Sequence, residues 1–573
     1  MTGSRLYPEA RIVAAGDRAL VVEIGDGIDE RVNRRVHALA LALGQRALSG
    51  VADLIPTYRS LLVNYDPVRL DVADLTHAIA DLARALDDST LPAPRTVEIP
   101  TCYGGEFGPD LACVAEHNHL TPDDVVAIHT SSVCRVFMMG FSPGFAYMGG
   151  MSPRIATPRL KTPRTSIPAG SVGIAQQQTG IYPVESPGGW QLIGRTPVPL
   201  FDPDRVPPTL LEPGDLVRFV AIDEARYREI ERRLSSEVRS PTSDTGHRTP
   251  DTGRGRSVIE VLDPGALTTV QDLGRYGFQR YGVPISGAMD TFALCAANLL
   301  VGNDAGAAGL ETTIAGPELR FLDRAVVAVA GADMQPRVDD QAAPMWQPFV
   351  VPRHAVLSFR GLRSGARAYL AIAGGLDVPI VLASRSTYLR SHFGGHEGRS
   401  LRPGDRLARG PGDEGTAARR MPASWLPTYL GSHRVRVVLG PQDAAFTPAG
   451  VRTLFGSAYT IGAQSDRMGY RLEGPRIEHR AGADIVSDGT PAGAVQVAGD
   501  GMPLVLLADR GTTGGYAKIV TIASVDLPRI AQSQPGDRVF FDAVSVAEAH
   551  DALRQQEAVL EQIPRGPAVS HQE

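Results

Sequence analysis

Residues 509–519, Asp-Arg-Gly-Thr-Thr-Gly-Gly-Tyr-Ala-Lys-Ile, follow the apolar run 503–508. They put an acid (Asp509), two cations (Arg510, Lys518), two hydroxyls (Thr512, Thr513), a Gly-Gly pair (Gly514, Gly515) and a phenol (Tyr516) beside one buried strand. Successive loop amides can form an anion nest, and the cations would add fixed positive charge to it. Such a set can stabilise negative charge growing on a carbonyl or phosphoryl oxygen. A plain hairpin could carry the same letters, but the convergence of so many polar types favours a functional strip.

A second candidate spells a different chemistry. Gly140-Phe141-Ser142-Pro143-Gly144 matches the G-x-S-x-G elbow of serine hydrolases, in which the residue after the serine supplies an oxyanion-hole N–H. Here that residue is Pro143, which has no N–H, so Ser142 is not expected to be a nucleophile. What remains is a Gly- and Pro-shaped loop with Phe141, Phe145 and Tyr147, suited to a flat ligand or a neighbouring domain.

Weaker signals surround these two. "SDRMGYRL" at 465–472 pairs Asp466 with Arg467, as substrate contacts or as a structural ion pair. His117 and His119 read as solvated loop residues; His129, just before the strand of the Ser142 loop, is the better acid–base candidate. Of 57 lysines and arginines only Lys161 and Lys518 are lysine, which marks both as places where a titratable amine could be needed. Asp-Thr-Gly occurs twice, at 244–246 and 251–253, in a polar stretch that cannot bury a carboxylate pair, so an aspartic-protease reading is set aside. No G-x-x-x-x-G-K-[ST] occurs. Cys102, Cys113, Cys134 and Cys295 lie in no C-x-x-C pair and read as small core residues. The sequence leaves any metal undetermined.

The elements that must position these residues follow from periodicity. Strands around Gly16-Asp17, a helix along Ile28, Val32, Val36, Leu39 and Leu43, strands at 51–55 and 60–66, and a helix behind an N-capping Asp71 make a small α/β unit over 1–92. From 93 to 234 short apolar runs split by Gly and Pro argue for a β-barrel, closed by an exit helix. Residues 235–257 read as a flexible linker, 258–548 repeats the β grammar, and 549–573 reads as a tail. Pro-Gly-Asp recurs at 213–215, 403–405 and 535–537, each time feeding a strand, which predicts three equivalent barrel-closing hairpins. The fold class is therefore mainly β with a small α/β N-terminal domain.

At 573 residues several cores are expected, and 43% hydrophobic against 21% charged residues is ordinary for a globular chain. A net charge of -6 gives no footprint for nucleic acid or anionic lipid. With no long apolar run, a cytoplasmic location is expected and no membrane partner.

"GFSPGFAYMGG", "IPAGSVGIAQQQTGIYP", "SPGGWQLIGRTP" and the terminal "PGD" strand resemble the allophanate-hydrolase subunit 1 family, also KipI or the 5-oxoprolinase B subunit. "TTVQDLGRYGFQRYGVPISGAMD", "SDRMGYRL" and "DRGTTGGYAKI" resemble subunit 2, KipA or the 5-oxoprolinase C subunit. The resemblance implies a fusion with tandem cyclophilin-like β-barrels. It implies an ATP-dependent 5-oxoprolinase, with Mg²⁺ and a separate A subunit of the LamB/YcsF type. It also allows a urea carboxyltransferase served by biotin on another protein and by a biotin carboxylase, or a regulator of a sensor kinase. A homo-oligomer is expected. On this footing Arg510, Lys518 and the 512–515 backbone stabilise charge, Asp509 or Asp466 orients a substrate nitrogen or a metal, and Gln178 and Thr179 occupy family-motif positions beside the substrate. Gln176 stands where the family usually has glycine.

Overall fold

The computed structural model describes residues 4–86, 91–239, 257–411, 420–429 and 431–563. In the N-terminal unit Asp29 and Asp71 cap helices Glu30–Arg46 and Val72–Arg84, each carboxylate accepting a first-turn N–H. The stripe Val32, Val36, Leu39, Leu43, Leu75 and Ile79 is buried against one face of an antiparallel sheet. Its strands run Leu6–Ala14, Ala19–Gly25, Ser60–Tyr65, Val51–Pro56 in spatial order. Alternation turns Val21, Ile55 and Leu62 to the opposite face. That face is not solvent-exposed: it meets the C-terminal part of the chain, and a Cβ at Gly489 would lie 2.5 Å from Leu62.

The first barrel closes through Thr96–Tyr103, Gln191–Arg195, Ser171–Ala175, Gln178–Ile181, Ala146–Gly149, Val133–Met139 and Leu216–Ile222. A second closed barrel runs Ser432–Leu439, Lys518–Ile522, Ala494–Val497, Pro503–Leu506, Gly469–Glu473, Tyr459–Ile461 and Arg538–Ala543. Strand by strand the order is the same, and in both the last strand closes parallel to the first. Between them, residues 257–409 form sheets of seven and five strands around one core that includes Val261, Leu310, Val327 and Leu370.

All three Pro-Gly-Asp turns have the same build. Gly214, Gly404 and Gly536 take φ of +95°, +87° and +95°, and Asp215, Asp405 and Asp537 each accept the N–H three residues back, at 2.8, 2.7 and 2.8 Å. Only the first and third close barrels; the middle one feeds Arg406–Arg409 in the open seven-stranded sheet. The turn is thus a local device, and closure depends on the parallel partner strand.

Two expected boundaries shift. Helix Glu224–Arg239 runs into the stretch expected as linker, and residues 240–256, with both Asp-Thr-Gly triplets, lie outside the described residues. The expected tail begins inside helix Val546–Gln562, opened by a Ser545/Glu548 capping box, with Leu553 and Leu560 buried. Residues 564–573 lie outside the described residues. No described helix is long and apolar enough to cross a membrane.

Candidate functional site

The strip 507–518 leaves the strand Pro503–Leu506 and runs where the two halves of the chain meet. Asp509 is buried and faces Arg467, which donates from Nε at 2.9 Å and from Nη2 at 3.2 Å. Arg467 also donates from Nη1 to Glu311 and from Nη2 to the Gly287 carbonyl at 2.6 Å. Burial works against the guanidinium charge, yet the Asp509 and Glu311 carboxylates hold its pKa above the ordinary value. Glu311 is correspondingly lowered: burial opposes its charge, and Arg467 and Arg367 override that opposition. All three Arg467 nitrogens are engaged inside the protein, so Asp509 and Arg467 form the ion pair behind a wall rather than a ligand surface.

Arg510 stands in front of that wall. It is 2% exposed and donates to the Thr490 carbonyl at 2.9 Å, the Leu507 carbonyl at 3.3 Å and Gln279 Oε1 at 3.2 Å. A guanidinium has five N–H groups, so two remain beyond these three bonds. Burial lowers its pKa to about 10, which leaves it fully charged at neutral pH.

Arg510 lines a cavity of about 440 Å³ between the N-terminal sheet and the second half of the chain, a volume suited to a small ligand. Asp17, Arg18, Asn64 and Tyr65 come from one side, and Ser286, Met289, Thr521 and Glu557 from the other. Four buried polar atoms of its lining have no hydrogen-bond partner: Arg18 Nε, Asn64 Nδ2, Ser286 Oγ and Thr521 Oγ1. Unpaired buried polar atoms are costly, so their gathering around one cavity points to a polar occupant.

The rest of the strip faces away from the cavity. Residues Thr513–Tyr516 form a short strand paired with Asp484–Gly489, which corrects the expected loop nest: Gly514 lies opposite Asp488 in extended backbone, and Gly515 stands at the irregularity before the Tyr516–Asp484 pair. Thr512 is buried with its hydroxyl unpartnered. Thr513 Oγ1 accepts the Phe141 N–H at 3.2 Å, and a Cβ at Gly140 would fall 2.0 Å from that same oxygen, so only glycine fits. The 140–144 loop is therefore a contact between halves, completed by Gly144 N–H donating to the Tyr281 carbonyl at 2.9 Å. Ser142 is buried and its Oγ has no partner, so no base approaches it.

Lys518 is fully buried with Nζ 3.7 Å from Asp488. Burial lowers its pKa, and Asp488 offsets part of that. Asp488 also accepts from Ser60 Oγ of the N-terminal unit at 2.5 Å and from Gln442 at 3.2 Å. Lys518 does not line the cavity described above.

The remaining expected residues scatter. His129 is wholly buried in the first barrel, with Tyr103 at 2.8 Å and Thr179 at 2.9 Å on its two ring nitrogens, and burial drives its pKa to about 3. Thr179 is thereby a partner of that core histidine. Gln178 donates to the Tyr58 hydroxyl. Asp466 is exposed, 3.4 Å from Arg390, and Tyr516 is also exposed. Among the described residues no group of three or more His, Cys, Asp or Glu is placed to hold a metal ion. Sequence reasoning does not single out Asp53, Gln279, Glu311, Asn64 or Ser286; the "GRYGFQRYGVPISG" run holds two of them in a Gly-rich stretch, while Asp53 and Asn64 carry no local signal.

Each half contributes one barrel of the same topology, and the halves close on one polar cavity: this is the architecture of a carboxyltransferase-type double-barrel protein. The carboxyltransferase domain, subdomain C and D, matches residues 10–211, and its subdomain A and B matches 281–543. The 5-oxoprolinase B subunit of Bacillus subtilis is 47% identical over 231 residues, covering 38% of this chain and 95% of that protein. The 5-oxoprolinase C subunit of Escherichia coli is 38% identical over 308 residues, covering 53% and 97%. Urea amidolyase of Saccharomyces cerevisiae is 31% identical over 325 residues, covering 54% of this chain but 18% of that protein. The crystal structure of TTHA0988 superposes with a TM-score of 0.80 at 36% identity, covering 92% of this chain and 99% of that one. The chain belongs to this carboxyltransferase-domain family, as a fusion of parts similar to the B and C components of 5-oxoprolinase.

Proposed function

We propose that the chain is the fused B and C component of an ATP-dependent 5-oxoprolinase, which opens the lactam of 5-oxoproline to glutamate with a separate A subunit. The observation that carries this reading is the hydrogen-bond demand of the cavity. Arg18 Nε and Asn64 Nδ2 can only donate, Arg510 holds two further N–H groups, and both Asp17 oxygens already accept from Ser524. The Glu557 carboxylate also lines the cavity, and burial raises its pKa, but the free N–H groups outnumber it, so the unmet demand is mainly for acceptors. 5-Oxoproline brings a carboxylate and a lactam oxygen against a single N–H, whereas urea brings one oxygen against two amino groups.

In this reading Arg510 faces the oxygen of the scissile amide. Charge accumulates on that oxygen as the C–N bond is activated, and a guanidinium already fixed by Thr490, Leu507 and Gln279 stabilises it without reorganising. Ser286 and Thr521 supply hydroxyls that can donate or accept toward the ring nitrogen. Thr513 and Gly514 are strand-paired with Gly489 and Asp488, and residues 512–515 do not line the cavity, so no step of ATP or Mg²⁺ chemistry is assigned to them. The kinship with urea amidolyase favours a second reading, carboxyl transfer from biotin on another protein to urea.

The test combines the purified chain with the A subunit, 5-oxoproline, ATP and Mg²⁺, and measures phosphate and glutamate. Phosphate released in step with glutamate is expected. No lactam turnover, together with carboxylation of urea by supplied carboxybiotin, would replace the first reading with the second.

A further inference from the structure

Arg510 belongs to the C-like half, but the group that aims it is held by the B-like half. Asp53 sits at an irregularity in the N-terminal strand Val51–Pro56, next to Val51 and Ala52 of the cavity lining. Its Oδ2 accepts from Gly277 N at 2.9 Å, Gln279 N at 3.1 Å and Gln279 Nε2 at 3.2 Å. Gln279 Oε1 in turn accepts from Arg510 Nη2 at 3.2 Å. Asp53 is 5%, Gln279 1% and Arg510 2% exposed, so the chain of bonds is shielded from water over its whole length.

The chemistry allows only one orientation of the Gln279 amide. Turned over, it would set its oxygen against a carboxylate and its NH2 against a guanidinium, both repulsive and both unbonded. A carboxylate on one side of the interface thus fixes the amide, and the amide fixes the cation on the other side. Burial pushes the Asp53 pKa up while the Gln279 and Gly277 donors pull it back, as expected for a carboxylate bound in place by N–H groups.

We propose that Asp53 and Gln279 are positioning residues that set Arg510 for the cavity ligand, so that docking of the small N-terminal domain completes the site in the C-like half. The inference rests on the reading that Arg510 serves the lactam, and it explains why separate B and C parts would act only together. Neither residue touches the ligand; both act through the guanidinium.

The test is a double-mutant cycle in the full chain. Q279L removes the oxygen to which Arg510 donates and is expected to lower kcat/KM for 5-oxoproline about 30-fold; D53N keeps an oxygen for the Gly277 and Gln279 N–H groups but removes the charge that holds the amide, and lowers it about 10-fold. Because Asp53 acts through Gln279, D53N/Q279L stays within about 3-fold of Q279L alone. A double variant as low as the product of the single effects overturns the relay. Hydrogen exchange of residues 507–513 in the ligand-free chain separates the two claims. If wild type turns over no 5-oxoproline, the assigned reaction falls, and the relay stands or falls on whether D53N removes protection in the wild-type background and none further in Q279L.

Discussion

The two closed barrels share strand order, parallel closure and the Pro-Gly-Asp turn, yet they use one equivalent segment in opposite ways. After Gln178–Ile181 in the first barrel and Pro503–Leu506 in the second, the chain leaves the barrel and pairs a short strand outside it, Ser186–Gly188 with Arg164–Ile167 and Thr513–Tyr516 with Asp484–Gly489. In the first barrel this excursion carries Tyr182 and Trp190, which pack on Phe145 with ring centroids 5.5 and 5.7 Å apart. In the second it carries Asp509, Arg510 and Thr512. Aromatic residues satisfy each other locally. Buried charges need partners from elsewhere, and these come from Glu311 and Arg467 behind the strip, from Gln279 beside it and, through Gln279, from Asp53 across the interface. One backbone serves as a self-sufficient scaffold in the first half and, in the second, as a polar strip that is complete only in the assembled chain.

The sharpest way to break that contrast is to remove a partner of the charged strip. R467M leaves the Asp509 and Glu311 carboxylates buried without their main cation and is expected to destabilise the second half by about 3–5 kcal/mol, read from denaturant unfolding. A shift under about 1 kcal/mol would mean that water or Arg367 already neutralises the pair. Next in size, R510A is expected to lower kcat/KM for 5-oxoproline about 100- to 1,000-fold, with stability reduced by about 1–3 kcal/mol because the Thr490 and Leu507 carbonyls and Gln279 lose their donor. E185A, at the corresponding exposed place in the first barrel, should stay within about 2-fold.

The barrels also differ in acid. His129 is held neutral in the first barrel with a pKa of about 3, against 6.5 for the free group. Between those values the unfolded chain binds the extra proton, so stability rises with pH across that window and is lost on acidification. Going from pH 7 to pH 5 costs about 2 kcal/mol through this one residue. His37, partly buried and with a pKa lowered to about 4, acts in the same direction. Burial also lowers the pKa of His433 in the second barrel, but less far, so hydrogen exchange should show the first half loosening at pH 5 before the second, and H129Q should narrow the difference. The smallest expected effect is that of S142A, which should leave turnover within about 2-fold; a loss beyond about 100-fold would restore the nucleophile that Pro143 argues against.

Features that rest on neighbouring residues can be read from the sequence. Asp29 and Asp71 cap the helices that the Leu and Val spacing announces, and Pro143 by itself rules out an elbow. The repeated Pro-Gly-Asp turns reappear with matching φ values and Asx bonds. Arg510 is legible because a strand, an acid, a cation and glycines stand side by side. Its partners are not, since Asp53 and Gln279 are 226 residues apart and meet only through the fold. The same limit explains the strip itself: "TTGGY" permits a nest, and only the distant Asp484–Gly489 strand makes it a ladder. His129 reads as an acid–base group because sequence does not tell a helix face turned into a barrel from one turned to solvent. The helix Val546–Gln562 hides in a polar stretch whose few apolar residues suffice because they dock on a surface built elsewhere.

The central claim, that small-molecule chemistry occurs between the halves at Arg510, is tested most directly by a crystal structure of the full chain soaked in 5-oxoproline. The expected result is a ligand inside the cavity of about 440 Å³, with an oxygen within hydrogen-bond distance of the Arg510 guanidinium and a carboxylate met by Arg18 and Asn64. A ligand bound instead outside the cavity, for example at Lys161 or on the 176–178 hairpin, with the cavity unchanged, would contradict it.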